Sequence, residues 1–338
     1  MRSVHQKGFV FKLNIFQKMN IVGHQRIIEF LKNSIKNKRL CQSYLFCGPE
    51  YVGKKMIAIH FAASLLCDSQ NFPCLECESC RQVFQGKHPD IYYVGKIEDK
   101  EISIDQIRKI KGIVNLAPLS GSSKIVIIEE ADSLTISAAN SLLKLLEDTP
   151  LNVFIILLAR GFGNLPATLR SRCQVLRFLP PSSEELSCFL KKEFDLSLID
   201  AQKISNLSLN LPRLAIKLAE NKEEGFKNRE NLMEKFIFFL SERNNLENKF
   251  KLANLILKSE TKQTLFFLLQ FIRDLVLIKL KLSPSSNLER KKLLDLSEKY
   301  SKTELYLFMN QILRTQSWID RHANKKLSIE NLVLNDFI

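Results

Sequence analysis

Apolar residues Ile27, Ile28, Leu31 and Ile35 recur at helical spacing, which predicts an amphipathic helix between Ile21 and Asn37. Ser43-Tyr-Leu-Phe-Cys47 is instead a short unbroken apolar run that stops at Gly48-Pro49, the pattern of a buried strand entering a turn. Lys54 to Leu66, rich in Ala, Ile and Leu, predicts the next helix. Further strand runs are His88 to Val94, Lys124 to Ile128 and Asn152 to Leu158, with a fifth expected at Leu176 to Leu179. Between them lie two helical stretches, Ser103 to Val114 and Ser137 to Leu146. Ser103 is the expected cap of the first, with Gln106 as its capping-box partner. Continuous apolar strands alternating with helices predict an α/β domain whose parallel sheet is covered on both faces.

Pro180-Pro181 ends that alternation. Ser183 to Glu193, Ser197 to Leu207 and Leu211 to Glu220 predict three short helices, Asn221 to Asn228 reads as a polar linker, and the chain is then helical to Ile338 apart from a break around Pro284. The expected divisions are a disordered extension at 1–18, an α/β domain at 19–180, a small helical domain at 181–222 and a helical domain at 223–338. Leu265 to Leu280 is the greasiest stretch, but Arg273 and Asp274 interrupt it, so it predicts a bundle helix and no membrane span. Leu265, Phe266, Leu268 and Leu269 are expected in that bundle or its interfaces. The first 18 residues carry Arg2, Lys7, Lys12 and Lys18 without an acid, and Lys12 splits their apolar run, unlike a secretory signal. The expected location is the cytoplasm, where eight cysteines are thiols or metal ligands.

The formal charge of +14 on 338 residues suits a partner that carries phosphates. A nearer phosphate site is Gly48-Pro-Glu-Tyr-Val-Gly53-Lys54-Lys55, set between a predicted strand and a predicted helix. Glycines there let backbone N–H groups turn to an anion, and the helix adds its positive end. The position after the loop lysine normally carries a hydroxyl for Mg2+. Here it carries Lys55, whose ammonium has no lone pair for a metal. The strand 124–128 ends in Glu129-Glu130 where an Asp normally holds the metal shell. One extra methylene moves a carboxylate by about 1.3 Å, and such misplacement can reduce a rate about 100-fold. ATP is thus expected to bind weakly, if at all, with Mg2+ poorly held. Directly downstream, Cys67, Cys74, Cys77 and Cys80 have the spacing of a closed structural Zn2+ site. Cys41, Cys47 and Cys188 fall among apolar residues and are expected in the core.

Pro118 to Asp132, Ala138 to Asp148 and Thr168-Leu-Arg-Ser-Arg-Cys173, with His88-Pro-Asp90 and the cysteine loop, resemble bacterial clamp-loader ATPase-type subunits of the AAA+ class. The resemblance implies a RecA-like AAA+ domain with an inserted zinc module at 67–80, a three-helix lid and an all-α collar in a hetero-oligomeric ring. It implies gamma/tau and delta subunits of DNA polymerase III as partners and, through them, the sliding clamp and primed DNA. Arg172 would act as an arginine finger in a neighbouring subunit's ATP site, although an isolated Arg here also suits a surface ion pair. Arg213 resembles the family's sensor-2 arginine, although a plain exposed helix Arg also suits it, and Ala159-Arg160 falls where an active ATPase places a polar sensor-1 residue, which implies that this function is absent. Lys55 and Glu129 depart from the ATP-hydrolysing gamma/tau motor and favour a non-hydrolysing stator. The motor, and an unrelated zinc-containing nucleic-acid-binding module, stay open on the residues alone.

Overall fold

The computed structural model describes residues 21–334 apart from positions 68, 70–72, 98–99, 121–122, 164, 221, 243–244, 283–289 and 321–322. The extension expected at 1–18 lies outside the described residues. Two compact units are present: one takes the described residues up to Phe189 with Leu211–Arg213, the other Leu190–Asn210 and the described residues from Leu214 onward.

The first unit holds a five-stranded parallel sheet in the order β2-β3-β4-β1-β5. The strands are β1 (Ser43–Cys47), β2 (Ile91–Val94), β3 (Lys124–Ile128), β4 (Val153–Ala159) and β5 (Gln174–Arg177). Every residue of β1, β3 and β4 is buried, as unbroken apolar runs require when both sheet faces are covered. β1 lies between β4 and β5, with Leu45 paired to Leu157 of β4 and Val175 of β5. On one face, Val126, Ile155 and Leu157 pack with Ile107 and Ile110 of helix α4 (Ile104–Val114) and with Leu142 and Leu145 of helix α5 (Ile136–Glu147).

Local chemistry sets the element ends. Ser103 caps α4 and its N–H donates to Gln106 Oε1 at 2.9 Å, as expected for a capping box. Thr135 caps α5 by accepting from the Ala138 N–H. The fifth strand lies two residues earlier than the apolar run suggested. The Phe178 N–H makes the last rung onto β1, to the Cys47 carbonyl at 2.7 Å, and Pro180 has no N–H to continue it. Asp90 of the His-Pro-Asp motif is fully buried and accepts from the N–H groups of Leu119 and Ser120 at 2.6 and 2.8 Å, fastening the loop that enters β3.

Every element of the second unit is helical. Its long central helix, Thr261–Lys279, buries Leu265 and Leu268 completely, whereas Phe266 and Leu269 are half-buried. That helix packs against Lys302–Asp320, and Leu246–Lys258 packs against Lys325–Leu334. Tyr300 Oη donates to the Leu240 carbonyl at 2.6 Å, and Lys279 Nζ donates to the carbonyls of Ser297 and Tyr300 at the end of Arg290–Lys299. No helix among the described residues is long and apolar enough to cross a membrane.

Two expectations are corrected. The polar stretch 222–228 is no linker: a helix runs from Lys222 to Ser241, consistent with the helix propensity of its Lys and Glu residues. Cys41 and Cys188 are exposed, so of the three cysteines expected in the core only Cys47 is there. Apolar sequence neighbours do not decide which side of an element a thiol faces.

Candidate functional site: a phosphate-type loop and a four-cysteine cluster

The loop leaves β1 at Gly48, whose N–H donates to Ala159 of β4 at 3.2 Å. A Cβ on Gly48 would lie 2.3 Å from the Phe178 carbonyl oxygen, so only glycine fits. Gly53 needs glycine for a different reason: it caps helix α2 (Lys54–Leu65) at φ +109° with open space around it. The loop thus sits at the carboxyl end of β1, where the chain order crosses from β4 over β1 to β5. Open parallel sheets place ligands at such switch points.

Within this frame the predicted residues come together, but largely with one another. Lys54 Nζ folds back to donate to the Gly48 and Pro49 carbonyls at 2.6 and 2.7 Å. Burial pushes the Lys54 ammonium down to about 8, against the pull of Glu50. Lys55 and Glu129 form an ion pair at 2.6 Å. Glu130 lies 3.1 Å from Lys96 and 3.2 Å from Arg160. Arg160 also approaches Glu50 at 2.7 Å, and its N–H donates to Asp132 Oδ1 at 3.2 Å. Glu130 is at φ +51°, in the left-handed region, and opens the turn Ala131–Ser133 that presents Asp132. Arg213 is exposed; its backbone N–H donates to the Tyr51 carbonyl at 3.2 Å, which brings it beside the loop.

Sequence reasoning missed three contributors. His24 Nε2 donates at 2.9 Å to the Val52 carbonyl, and its ring lies 4.9 Å from Phe178 under the loop; burial lowers its pKa. Glu50 and Lys96 are also part of the charge cluster. Glu50 lies inside the loop motif and was readable as a candidate; for His24 and Lys96 no local signal existed.

Arg172 lies apart from these residues' pairs. Its Nε and a terminal nitrogen meet Glu147 Oε1 at 2.7 and 2.5 Å, and it also donates to the Thr168 carbonyl. Glu147 ends α5, so the Ser171-Arg172-Cys173 segment is tied to that helix. Cys173 is half-buried, and burial pushes its thiol up to about 12, which leaves it inert.

The four cysteines converge as their spacing predicts. All four Sγ atoms lie within 4.8 Å of one another, with Cys74–Cys80 at 3.8 Å and Cys67–Cys77 at 3.9 Å. A tetrahedron with metal–sulfur bonds of about 2.3 Å has edges of about 3.8 Å, so the donor set fits Zn2+. Backbone N–H groups of Cys77 and Cys80 donate to Cys74 and Cys77 Sγ at 3.3 and 3.4 Å. Donors from Cys77 and Glu76 hold the Cys74 thiol down at about 6, favouring the thiolate a metal takes. Cys77 and Cys80 are delivered by a short helix, Glu78–Phe84, with Cys77 as its cap.

A family model described as DNA polymerase III, delta subunit, matches residues 23–182. DNA polymerase III subunit delta' of Haemophilus influenzae is 34% identical over 224 residues, covering 65% of this chain and 66% of that protein. The delta' subunit of Bacillus subtilis is 33% identical over 199 residues, covering 59% and 60%. The Bacillus subtilis tau subunit is 31% identical over 197 residues, covering 58% of this chain but 33% of tau. The chain thus spans less than two thirds of the length of each of these relatives. Over residues 23–182, the part that holds the sheet, the loop and the cysteine cluster, the chain is similar to DNA polymerase III delta and delta' subunits.

Proposed function

We propose that this protein is a delta-prime-type stator of the DNA polymerase III clamp loader, a subunit that hydrolyses no ATP and helps load the sliding clamp onto primed DNA. The observation that carries the reading is Glu130. The acid best placed to orient an attacking water is bound by Lys96 and Arg160. Both cations hold Oε2, so an attacking water would have to compete with two ion pairs for this carboxylate.

In this reading residues 19–180 form a RecA-like AAA+ domain, 181–222 a lid and 223–338 a collar that closes a ring with gamma/tau and delta subunits. Zn2+ on Cys67, Cys74, Cys77 and Cys80 is structural, since four protein ligands leave no open position. Arg172 exchanges Glu147 for the transferring phosphoryl group of the neighbouring subunit. Both partners are acidic and accept the same planar guanidinium, so the exchange keeps Arg172 charge-paired.

The test is a ring reconstituted with gamma/tau and delta subunits. Arg172→Ala is expected to assemble normally and to slow ATP hydrolysis at the adjoining site by about 10^3-fold or more. An unchanged rate removes the finger role. Lys54 is the feature that favours the motor reading, and rapid turnover by the isolated chain, abolished in Lys54→Ala, would replace the stator with that reading.

A further inference from the structure

Read along the sequence, Lys55 and Glu129 are two separate departures from a magnesium-binding pattern. In the fold they are one feature. Lys55 follows the loop lysine, where the metal-binding hydroxyl belongs, and Glu129 follows the last residue of β3, where the metal-shell acid belongs. Their charged ends meet at 2.6 Å. Lys55 Nζ also lies 5.9 Å from the centre of the Tyr93 ring, whose face favours a cation. The neighbouring acids do not offer an alternative shell: Glu130 is engaged by Lys96 and Arg160, and Asp132 accepts the Arg160 N–H. A divalent ion entering here meets a fixed ammonium with no lone pair and a carboxylate that is already neutralised. The residues present therefore do not fit Mg2+.

We infer that the Lys55–Glu129 ion pair takes the place of Mg2+ in this cradle, so that nucleotide contact with it is independent of divalent metal. The inference deepens the stator reading and rests on it for the identity of the loop. The two changes are complementary: each alone leaves a charge without its partner, and only the pair restores neutrality. Reversing both should restore the metal's place.

Calorimetric titration of the full chain with ATP, in millimolar Mg2+ and in EDTA, tests this. Wild type is expected to give the same result in both buffers, whether weak binding or none. The variant Lys55→Thr/Glu129→Asp is expected to bind at least about tenfold more tightly with Mg2+ than with EDTA. Lys55→Arg, which keeps a cation opposite Glu129, should behave as wild type. Lys55→Thr alone should gain a smaller metal dependence, and it decides the question if the double variant does not fold. A tenfold Mg2+-dependent gain in wild type, or a folded variant with no gain, overturns the inference. Entry of wild type into the complex with gamma/tau and delta, measured on the same preparation, is a separate readout. Failure to assemble counts against the clamp-loader reading, whereas normal assembly with a failed metal test counts only against the ion-pair replacement.

Discussion

Replacing Gly48 by Ala separates two reasons for a glycine in the same loop. At Gly48 the added methyl would meet the Phe178 carbonyl oxygen at 2.3 Å and the Phe178 Cβ at 2.8 Å. Real carbon–oxygen contacts lie roughly 1 Å further out, so backbone must move. The atom to be displaced belongs to the residue that donates to Cys47, and Gly48 itself donates to Ala159, so the shift strains the junction of β1, β4 and β5. Overpacking of this kind destabilises by about 1–3 kcal/mol, and contact with backbone places Gly48→Ala at about 2–3. Gly53→Ala meets no atom within 4 Å, but must hold φ near +109°, a backbone strain of about 1–2 kcal/mol. Hydrogen exchange of peptides from β1 and β4 reads both directly. Gly48→Ala should speed exchange there by about 30- to 150-fold, and Gly53→Ala by about 5- to 30-fold. Exchange in Gly48→Ala within about twofold of wild type would refute the packing argument.

Three other outcomes are expected. Tyr300→Phe leaves the Leu240 carbonyl without its donor, and should cost about 1–2 kcal/mol in urea unfolding followed by Trp318 fluorescence; an unchanged midpoint would be the wrong result. His60 is 1% exposed beside Phe84 with neither ring nitrogen hydrogen-bonded, and burial lowers its pKa from 6.5 to about 4. The unfolded chain therefore binds the proton first: its contribution is complete above pH 6.5 and is lost as pH falls toward about 4, by about 2–3 kcal/mol, a slope that His60→Leu should flatten. Purified protein should carry about one Zn2+ per chain by elemental analysis, lost in Cys77→Ser, with faster exchange of the Glu78–Phe84 helix after chelation; full protection without metal would count against a structural ion.

The features legible in the chain were local ones. β1 and β3 fall where their apolar runs begin and end, because an unbroken run of that length has to be buried on both faces. The Ser103–Gln106 capping box and the cysteine spacing were equally readable, since both join groups a few residues apart. The helix Glu78–Phe84 was hidden by the cysteines around it, and the helix at 222–228 by its polarity.

By itself the sequence determined the alternation of strand and helix, the strand–loop–helix cradle and four thiols able to close on a metal, all set by backbone preference and short-range spacing. Only the tertiary structure decided which charges neutralise which. Lys55 meets Glu129, Arg160 meets Glu50 and Glu130, and Arg172 meets Glu147 because parallel pairing brings distant strand ends to one edge of the sheet and packing sets a helix end beside a distant loop. Ion pairing depends on distance in space, and no periodicity along the chain encodes it.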